Sequence, residues 1–302
     1  MNILAYFHAK SMVCFEATQS DTTSPESMTF FQKMKTLLAG VSIARPTMPA
    51  ALQDSILPYE HIRIAVDSGL YLGALYRAAD SGKVIVLLFH GYKAEKSCLL
   101  KEAELFHEMG YGILLIDFRG SGESSESYTT VGYFEAEDVT AAFNYSRDSL
   151  GYQESILYGQ SMGGAAILRA IAVDEISPEA IIIESVFDRM LTTVEHRFEA
   201  MGIPVFPTAN LLVFWGGRQL GFDAFDNNPI DYAASVNCPA LFLHGENDTR
   251  AYLREGRAVF DNIPSQKYFV PFENIAHQSI ADAATNKWEA SVDEFLQSLP
   301  HE

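Results

Sequence analysis

Five near-continuous apolar runs constrain the fold of this chain more than any other feature. Helix-forming stretches separate the runs, which occupy residues 84–89, 112–117, 155–158, 181–184 and 240–243. Strands without a polar face are buried on both sides, as in a parallel sheet that lies between two layers of helices. A sixth run at 267–272 and a closing helix at 288–299 continue the pattern. The sequence therefore predicts an α/β fold built on a mostly parallel sheet.

Two half-buried strands precede these runs. Residues 61–66 and 70–76 alternate apolar and polar side chains, which is typical of a strand with one face on a core. The tripeptide Asp67-Ser68-Gly69 separates them and has the composition of a tight turn. We therefore expect a hairpin ahead of the parallel strands.

Residues that can carry chemistry follow directly after the apolar runs. Ligands in such folds bind beyond the carboxyl ends of the strands, so these positions define the candidate site. The strand-end residues are His90-Gly91-Tyr92, Asp117, Ser161, Glu184, His244, Asp248 and His277.

Ser161 is the candidate nucleophile. The run 155–158 stops at Gly159-Gln160-Ser161-Met162-Gly163, and a helix-forming segment follows at once. A serine on a sharp turn between strand and helix projects its hydroxyl above the sheet, and the flanking glycines are required because a Cβ there would collide with backbone.

A serine hydroxyl needs a base and a carboxylate that orients the base. The chain order Ser161, Asp248, His277, with the acid after one strand and the histidine after the next, is that of serine hydrolases with such a turn. The negative charge formed on the attacked carbonyl requires two donors. We expect these to be the backbone amides of Tyr92 and Met162.

Other acidic and histidine residues also follow the apolar runs. Glu184 is an alternative acid. His90 and His244 each precede a glycine in a tight loop, and we expect them to shape those loops. We also expect Asp117 and Arg119 to tie down the loop after their strand. Structural roles are expected for the remaining histidines, His8, His61, His107, His196 and His301.

These motifs together resemble the α/β-hydrolase superfamily. The resemblance rests on HGY at 90–92, DFRGSGES at 117–124, GQSMGG at 159–164, HGEND at 244–248 and His277, and it covers about residues 58–300. Within the superfamily, the chain most resembles the small prolyl-oligopeptidase-like esterase and acyl-hydrolase branch. The resemblance implies an eight-stranded, mostly parallel sheet and hydrolysis through an acyl-enzyme.

The interval 188–229 leaves the alternation of strand and helix, and the resemblance implies a small helical lid there. Its aromatic side chains suggest an apolar acyl or aromatic group beneath the lid, with Phe206, Phe214 and Trp215 as candidate substrate contacts. The alternative is that these residues only attach the lid to the domain.

The sequence predicts two parts: an N-terminal extension at residues 1–49 and a hydrolase domain at residues 50–302. In the extension, residues 29–38 have apolar side chains at helical spacing and predict an amphipathic helix. That helix would pack on the domain, or would bind a partner or a membrane surface.

Charge and composition exclude several classes of function. The net charge of −18 disfavours nucleic acid and anionic membranes as partners. Cys14, Cys98 and Cys238 form neither a disulfide framework nor a paired motif, which favours a reducing compartment. No metal-binding motif, dinucleotide fingerprint or P-loop is present, so neither a metal nor a cofactor is predicted. No signal-peptide core or long apolar stretch is found, and the expectation is a cytoplasmic protein without an integral membrane segment.

The sequence thus predicts a serine hydrolase that cleaves carboxylic ester or thioester bonds of a small molecule with an uncharged, apolar acyl group. A serine peptidase acting on short peptides is the second hypothesis. A non-catalytic binding protein that retains the fold is the third. The oligomeric state stays open.

Overall fold

The computed structural model describes residues 2–16, 43–52, 56, 58–66, 69–79 and 84–299. The amphipathic helix predicted at 29–38 lies outside the described residues. So do Asp67 and Ser68 of the predicted turn.

An eight-stranded sheet in the order β10-β9-β8-β7-β5-β6-β4-β3 forms the centre of the fold. Its strands are β3 (Glu60–Val66), β4 (Leu70–Arg77), β5 (Val84–Phe89), β6 (Gly112–Ile116), β7 (Glu154–Gln160), β8 (Ala180–Glu184), β9 (Ala240–Gly245) and β10 (Lys267–Phe272). All neighbouring strands are parallel except β4, which is antiparallel to both β3 and β6. The predicted hairpin and the eight-stranded, mostly parallel sheet are confirmed.

Helices cover both faces of the sheet. They are α1 (Asn2–Val13), α2 (Leu100–Glu108), α3 (Glu135–Asp148), α4 (Met162–Val173), α5 (Met190–Met201), α6 (Thr208–Leu220), α7 (Pro229–Tyr232), α8 (Leu253–Asp261), α9 (Ile280–Ala283) and α10 (Thr285–Gln297). Successive strand residues point to opposite faces, so Leu87 joins the core beneath α3 and α4, and Leu88 joins the core beneath α2 and α10. The runs lack a polar side because each of their faces meets a layer of helices.

The interval between β8 and β9 contains α5, α6 and α7, in the place where the lid is predicted. Proline residues separate α5 from α6, because Pro204 and Pro207 both fall between Met201 and Thr208. The helix α5 therefore ends at Met201, ahead of both prolines.

The N-terminal helix α1 packs on α6. Trp215 donates from Nε1 to Asn2 Oδ1 at 3.3 Å, and Gln219 donates from Nε2 to the Tyr6 carbonyl at 2.9 Å. The rings of Tyr6 and Trp215 meet edge to face with their centroids 5.3 Å apart. The apolar residues of α1 lack a clear helical period, so no sequence pattern predicts this helix.

The end of α1 is tied to the loop that follows β6. Thr129 N donates to the Val13 carbonyl at 2.8 Å, and Phe15 N donates to the Ser127 carbonyl at 2.6 Å. Phe15–Glu16 (β1) then pairs in parallel with Ile43–Ala44 (β2). Of the helices in the described part of the chain, none is both long and apolar enough to cross a membrane.

Candidate active site

Ser161 is the single residue between β7 and α4. Its backbone is left-handed, with φ at 51°, a conformation that costs a non-glycine residue free energy and is often found at functional sites. Two backbone hydrogen bonds hold the turn: Ser161 N donates to the Glu184 carbonyl at 2.7 Å, and Ala165 N donates to the Ser161 carbonyl at 3.1 Å. The strand, turn and helix predicted around Ser161 are present.

The glycines of this turn are required by close backbone approach. A Cβ on Gly163 would lie 2.2 Å from the Phe89 carbonyl oxygen, and a Cβ on Gly159 would lie 2.6 Å from the Gly163 backbone. Both distances are far below van der Waals contact. The close approach of α4 to β5 and to β7 therefore explains the Gly-x-Ser-x-Gly spacing.

Asp248 and His277 form a hydrogen-bonded pair. Asp248 follows β9, His277 follows β10, and His277 Nδ1 lies 2.7 Å from Asp248 Oδ2. The other carboxylate oxygen accepts from the amides of Arg250 and Ala251, at 2.8 Å and 3.0 Å. Burial raises the pKa of Asp248, but the hydrogen bond and charge of His277 and the two amides outweigh it, so its pKa is lowered. Asp248 is thus ionised at neutral pH and fixes the orientation of the imidazole.

Ser161 and His277 line one cavity of about 520 Å³, a volume typical of small-molecule sites. The loop after β5 lies against the nucleophile turn, since a Cβ on Gly91 would be 3.7 Å from Ser161 Cβ. Tyr92 is the next residue in that loop and also lines the cavity, and Met162 begins α4. The structure therefore brings all five residues predicted for catalysis to the same end of the sheet.

Glu184, the alternative acid, has other partners. Its carboxylate accepts from Tyr158 Oη at 2.8 Å, Gln160 Nε2 at 2.9 Å and Ile280 N at 3.1 Å. The His277 ring is bonded to Asp248 instead. The geometry thus favours Asp248 as the orienting acid and gives Glu184 a role in holding the segment that follows His277.

The two other strand-end histidines hold loop backbone. His90 Nε2 accepts from Phe118 N at 3.1 Å, and its Nδ1 donates to the Gly91 carbonyl at 2.8 Å. His244 Nε2 lies 2.8 Å from the Ala251 carbonyl. Burial lowers the pKa of both rings, so they are neutral, as this bonding requires.

Asp117 and Arg119 hold the loop after β6. Asp117 pairs with Lys96 Nζ at 2.5 Å and accepts from Glu123 N at 2.9 Å. Arg119 binds the buried Asp138, with Nη2 at 2.7 Å from Oδ1. Both side chains therefore have the contacts expected of residues that tie down the loop.

The positions of Phe206, Phe214 and Trp215 correct the prediction of substrate contacts. Phe206 is 78% exposed and Phe214 is 48% exposed, and Trp215 packs against α1. The cavity-lining residues of α6 are Leu212, Val213, Gly216 and Gly217. With 3.6 residues per turn, these four positions share one face of α6, and residues 214 and 215 lie on another. Composition indicated an apolar insertion, but only the orientation of α6 decides which side chains reach the cavity.

Sequence reasoning missed two parts of the cavity wall. Ala9, Met12 and Val13 of α1 contribute to the wall, and so do three basic side chains. The basic residues are Lys93, Arg197 and Arg250. A sequence signal existed for two of them, since Lys93 follows Tyr92 directly and Arg250 lies two residues after Asp248.

A buried pair of carboxyl groups supports the segment that follows His277. Ser279 Oγ donates to Glu102 Oε1 at 2.8 Å, and Ile280 N donates to Glu184 Oε1 at 3.1 Å. Burial, reinforced by the charge of Glu184, raises the pKa of Glu102 to about 8. Glu102 is therefore predominantly protonated at neutral pH.

Replacing Glu102 with glutamine is expected to remove a pH dependence of stability. The pKa of Glu102 is about 8 in the folded state and about 4.5 in the unfolded state. Its contribution to the free energy of unfolding is therefore complete below about pH 4.5 and is lost as the pH rises to about 8. The free energy of unfolding of Glu102→Gln, relative to that of the wild type, should therefore increase by roughly 2 to 4 kcal/mol between about pH 5 and about pH 9. Urea unfolding across this range measures the difference. Glu108→Gln, at an exposed position of α2, is the control, and an equal response of both variants would contradict the assignment.

The chain is similar in sequence to one family model and to several known proteins. Residues 80–192 match the family model described as "Serine aminopeptidase, S33". The uncharacterised protein YqkD of Bacillus subtilis is 22% identical over 217 residues, which is 71% of each chain. A Danio rerio protein named lysophosphatidylserine lipase ABHD12 is 25% identical over 215 residues, 66% of this chain, and the match spans just over half (54%) of that relative.

Solved structures share the fold. The Pyrococcus furiosus esterase Pf2001 superposes with a TM-score of 0.68 at 19% identity, covering 84% of this chain and 98% of the esterase. The Exiguobacterium antarcticum esterase EaEST gives a TM-score of 0.60 at 18% identity, covering 79% of this chain and all of that esterase.

The sheet and these likenesses define the fold as that of the α/β-hydrolases. The matched family model and the relative named a lipase support a hydrolase with this fold. The chain's branch within the superfamily stays a prediction. Among the described residues, no cluster of three or more His, Cys, Asp or Glu side chains could hold a metal ion.

Proposed function

We propose that the chain hydrolyses carboxylic ester or thioester bonds through an acyl-enzyme on Ser161. The observation that carries the proposal is the 2.7 Å hydrogen bond between His277 and Asp248, at a cavity whose wall also contains Ser161. A histidine held by a buried carboxylate beside a serine on a strained turn is the arrangement that nucleophilic acyl transfer requires.

Each residue has one task in the proposed mechanism. His277 Nε2 takes the proton of Ser161 as Oγ attacks the carbonyl carbon, and Asp248 stabilises the resulting imidazolium. The amides of Tyr92 and Met162 donate to the oxyanion. The protonated His277 then gives its proton to the leaving alcohol or thiol, and the ester bond breaks. In the second half, His277 deprotonates water, which attacks the acyl carbon. The bond from Ser161 Oγ to the acyl group then breaks, His277 returns the proton to Oγ, and the acid leaves.

The walls of the cavity suit an apolar acyl group. Met190, Val194, Leu212, Val213 and Phe222 line it. Two of the structurally similar proteins are named esterases and one relative is named a lipase, which supports ester rather than amide substrates. We propose that α5 and α6 act as the lid over this acyl group.

Peptidase action is the second candidate, because the matched family model is described as a serine aminopeptidase. An aminopeptidase needs a negative group to bind the cationic amino terminus of its substrate. Of the described residues that line the cavity, none is aspartate or glutamate, whereas three are lysine or arginine. This charge pattern disfavours the peptidase hypothesis.

A series of p-nitrophenyl esters from acetate to palmitate tests the proposed function. Each methylene that enters an apolar cavity contributes about 0.8 kcal/mol, so kcat/KM should rise by up to about fourfold per methylene until the cavity is full. Gly216 offers a matched variant, because it is buried on the cavity wall and a Cβ built on it meets nothing within 4 Å. Gly216→Leu should therefore shorten the preferred acyl chain while acetate hydrolysis persists.

Two results would contradict this proposal. Absence of hydrolysis of every ester by the folded protein would remove the esterase assignment. An unchanged chain-length profile in Gly216→Leu would mean that the acyl group does not lie against α6.

A further inference from the structure

The cavity wall has the opposite charge to the rest of the molecule. The chain contains 39 acidic and 21 basic residues, for a net charge of −18. Yet the charged side chains that line the cavity, within the described part of the chain, are Lys93, Arg197 and Arg250, with no carboxylate among them. They come from the loop after β5, from α5 and from the loop after β9. Three separate elements thus present positive charge to one small space.

The three cations repel one another. Burial, together with the positive charges of Arg197 and Arg250, lowers the pKa of Lys93 to about 8. Lys93 is also held with its backbone in the left-handed region, at φ 63°. Among the described residues, no ion pair with a carboxylate compensates any of the three. Such an arrangement costs free energy, and a bound anion would offset that cost.

Nearby carboxylates are already engaged. Asp248 is bonded to His277, and Glu255 Oε1 lies 3.1 Å from His196 Nε2. Both side chains are buried and neither lines the cavity, and burial raises the pKa of Glu255 to about 8. They serve the histidines and do not neutralise the three cations.

We propose that Lys93, Arg197 and Arg250 form an anion subsite, and that the ester cleaved at Ser161 carries a phosphate or carboxylate group in addition to its apolar acyl group. This inference rests on the proposed function and names its substrate class. Arg250 is exposed, whereas Leu212 and Val213 are buried, so the anion occupies the solvent side of the cavity and the acyl group its interior. The negative surface of the molecule repels polyanions, so the ligand is a small anionic amphiphile rather than a nucleic acid.

Binding measured without turnover tests the subsite directly. In a Ser161→Ala background, isothermal titration calorimetry compares hexyl phosphate, hexan-1-ol and inorganic phosphate. Hexyl phosphate should bind at least about tenfold more tightly than either of the others, because it alone contacts both the cations and the apolar walls. Arg197→Gln and Arg250→Gln should each weaken hexyl phosphate by about tenfold and leave hexan-1-ol unchanged.

A matched control separates the subsite from general electrostatics. Arg147→Gln removes one positive charge from the exposed surface, where Arg147 pairs with Asp148, and should leave hexyl phosphate binding unchanged. An equal loss in Arg147→Gln and Arg197→Gln would overturn the proposal. Equal affinity for hexyl phosphate and inorganic phosphate would also overturn it. That result would mean that a ligand bound by the three cations does not place its hexyl chain against the apolar walls.

Kinetics then locate the anion on the substrate. Hexanoylglycerol phosphate is compared with hexanoylglycerol, and the mono-p-nitrophenyl ester of adipic acid with p-nitrophenyl hexanoate. A preference of at least about tenfold in kcat/KM for the anionic member of either pair, lost in Arg197→Gln, supports the subsite. Preference in the first pair places the anion on the leaving group, and in the second pair on the acyl chain.

The two proposals fail in different ways. Serine-dependent hydrolysis without preference in either pair would overturn the anion subsite and leave the proposed function intact. Loss of all ester hydrolysis would overturn the proposed function, and calorimetry on the same protein would still decide whether the cations bind hexyl phosphate.

Discussion

Ser161→Ala is expected to lower kcat for p-nitrophenyl hexanoate by about 10⁴-fold to 10⁶-fold. The variant keeps the Asp248–His277 pair and the backbone donors but has no oxygen that can form the acyl-enzyme. Alanine is also small enough for the turn at φ 51°, so the fold should persist. Steady-state kinetics measure the effect, with circular dichroism as the check on folding.

Ser291→Ala is the matched control for this prediction. Ser291 is half-buried on α10, where its hydroxyl donates to the Lys287 carbonyl, and it does not line the cavity. Its removal should leave kcat unchanged. Turnover by Ser161→Ala at the wild-type rate would exclude Ser161 as the nucleophile.

A fluorophosphonate distinguishes a hydrolase from a binding protein that merely retains the fold. The reagent modifies an activated serine once and stops, so the wild type should be labelled stoichiometrically and Ser161→Ala should not. A folded wild type that resists labelling would favour the non-catalytic hypothesis.

Asp248→Asn is expected to lower kcat by about 10⁴-fold, the second largest effect. The asparagine amide would donate to His277 Nδ1, which would force the ring into the tautomer with a proton on Nε2. That nitrogen could then no longer accept the proton of Ser161. The change removes one charge and almost no volume, so kcat reports the chemistry rather than the packing.

The same substitution at the alternative acid provides the contrast. Glu184→Gln also exchanges a buried carboxylate for an amide, but Glu184 bonds to Tyr158, Gln160 and Ile280 rather than to His277. We expect kcat to fall by less than about tenfold. A larger loss in Glu184→Gln than in Asp248→Asn would reverse the assignment of the acid.

Most of the fold could be predicted because its signals are local. In a strand that lies between two layers of helices, the side chains point alternately to the two layers, so every position must be apolar. The apolar run that contains Leu87 and Leu88 therefore predicts a strand buried on both faces. The sharp turn at Ser161 requires glycine wherever a Cβ would strike backbone, as at Gly163. Strand order in this class then places the residues after each run at one edge of the sheet.

The substrate-facing surface could not be predicted in the same way. Phe214 and Leu212 are equally apolar in the sequence, and the packing of α1 on α6 decides which of them faces the cavity. The role of α1 as part of the wall depends on contacts between residues about 200 positions apart, such as Asn2 with Trp215. The pattern of apolar residues indicates which side chains are buried, but it does not indicate which distant segment covers them.

The sequence by itself determined the parallel sheet, the nucleophile turn and the chain order of Ser161, Asp248 and His277, because each depends on backbone geometry that leaves a short-range pattern. Tertiary structure alone decided that Lys93, Arg197 and Arg250 converge on one cavity. Their charges belong to three segments with no pattern in common, and only the docking of α5 over the sheet edge brings them within electrostatic reach of one another.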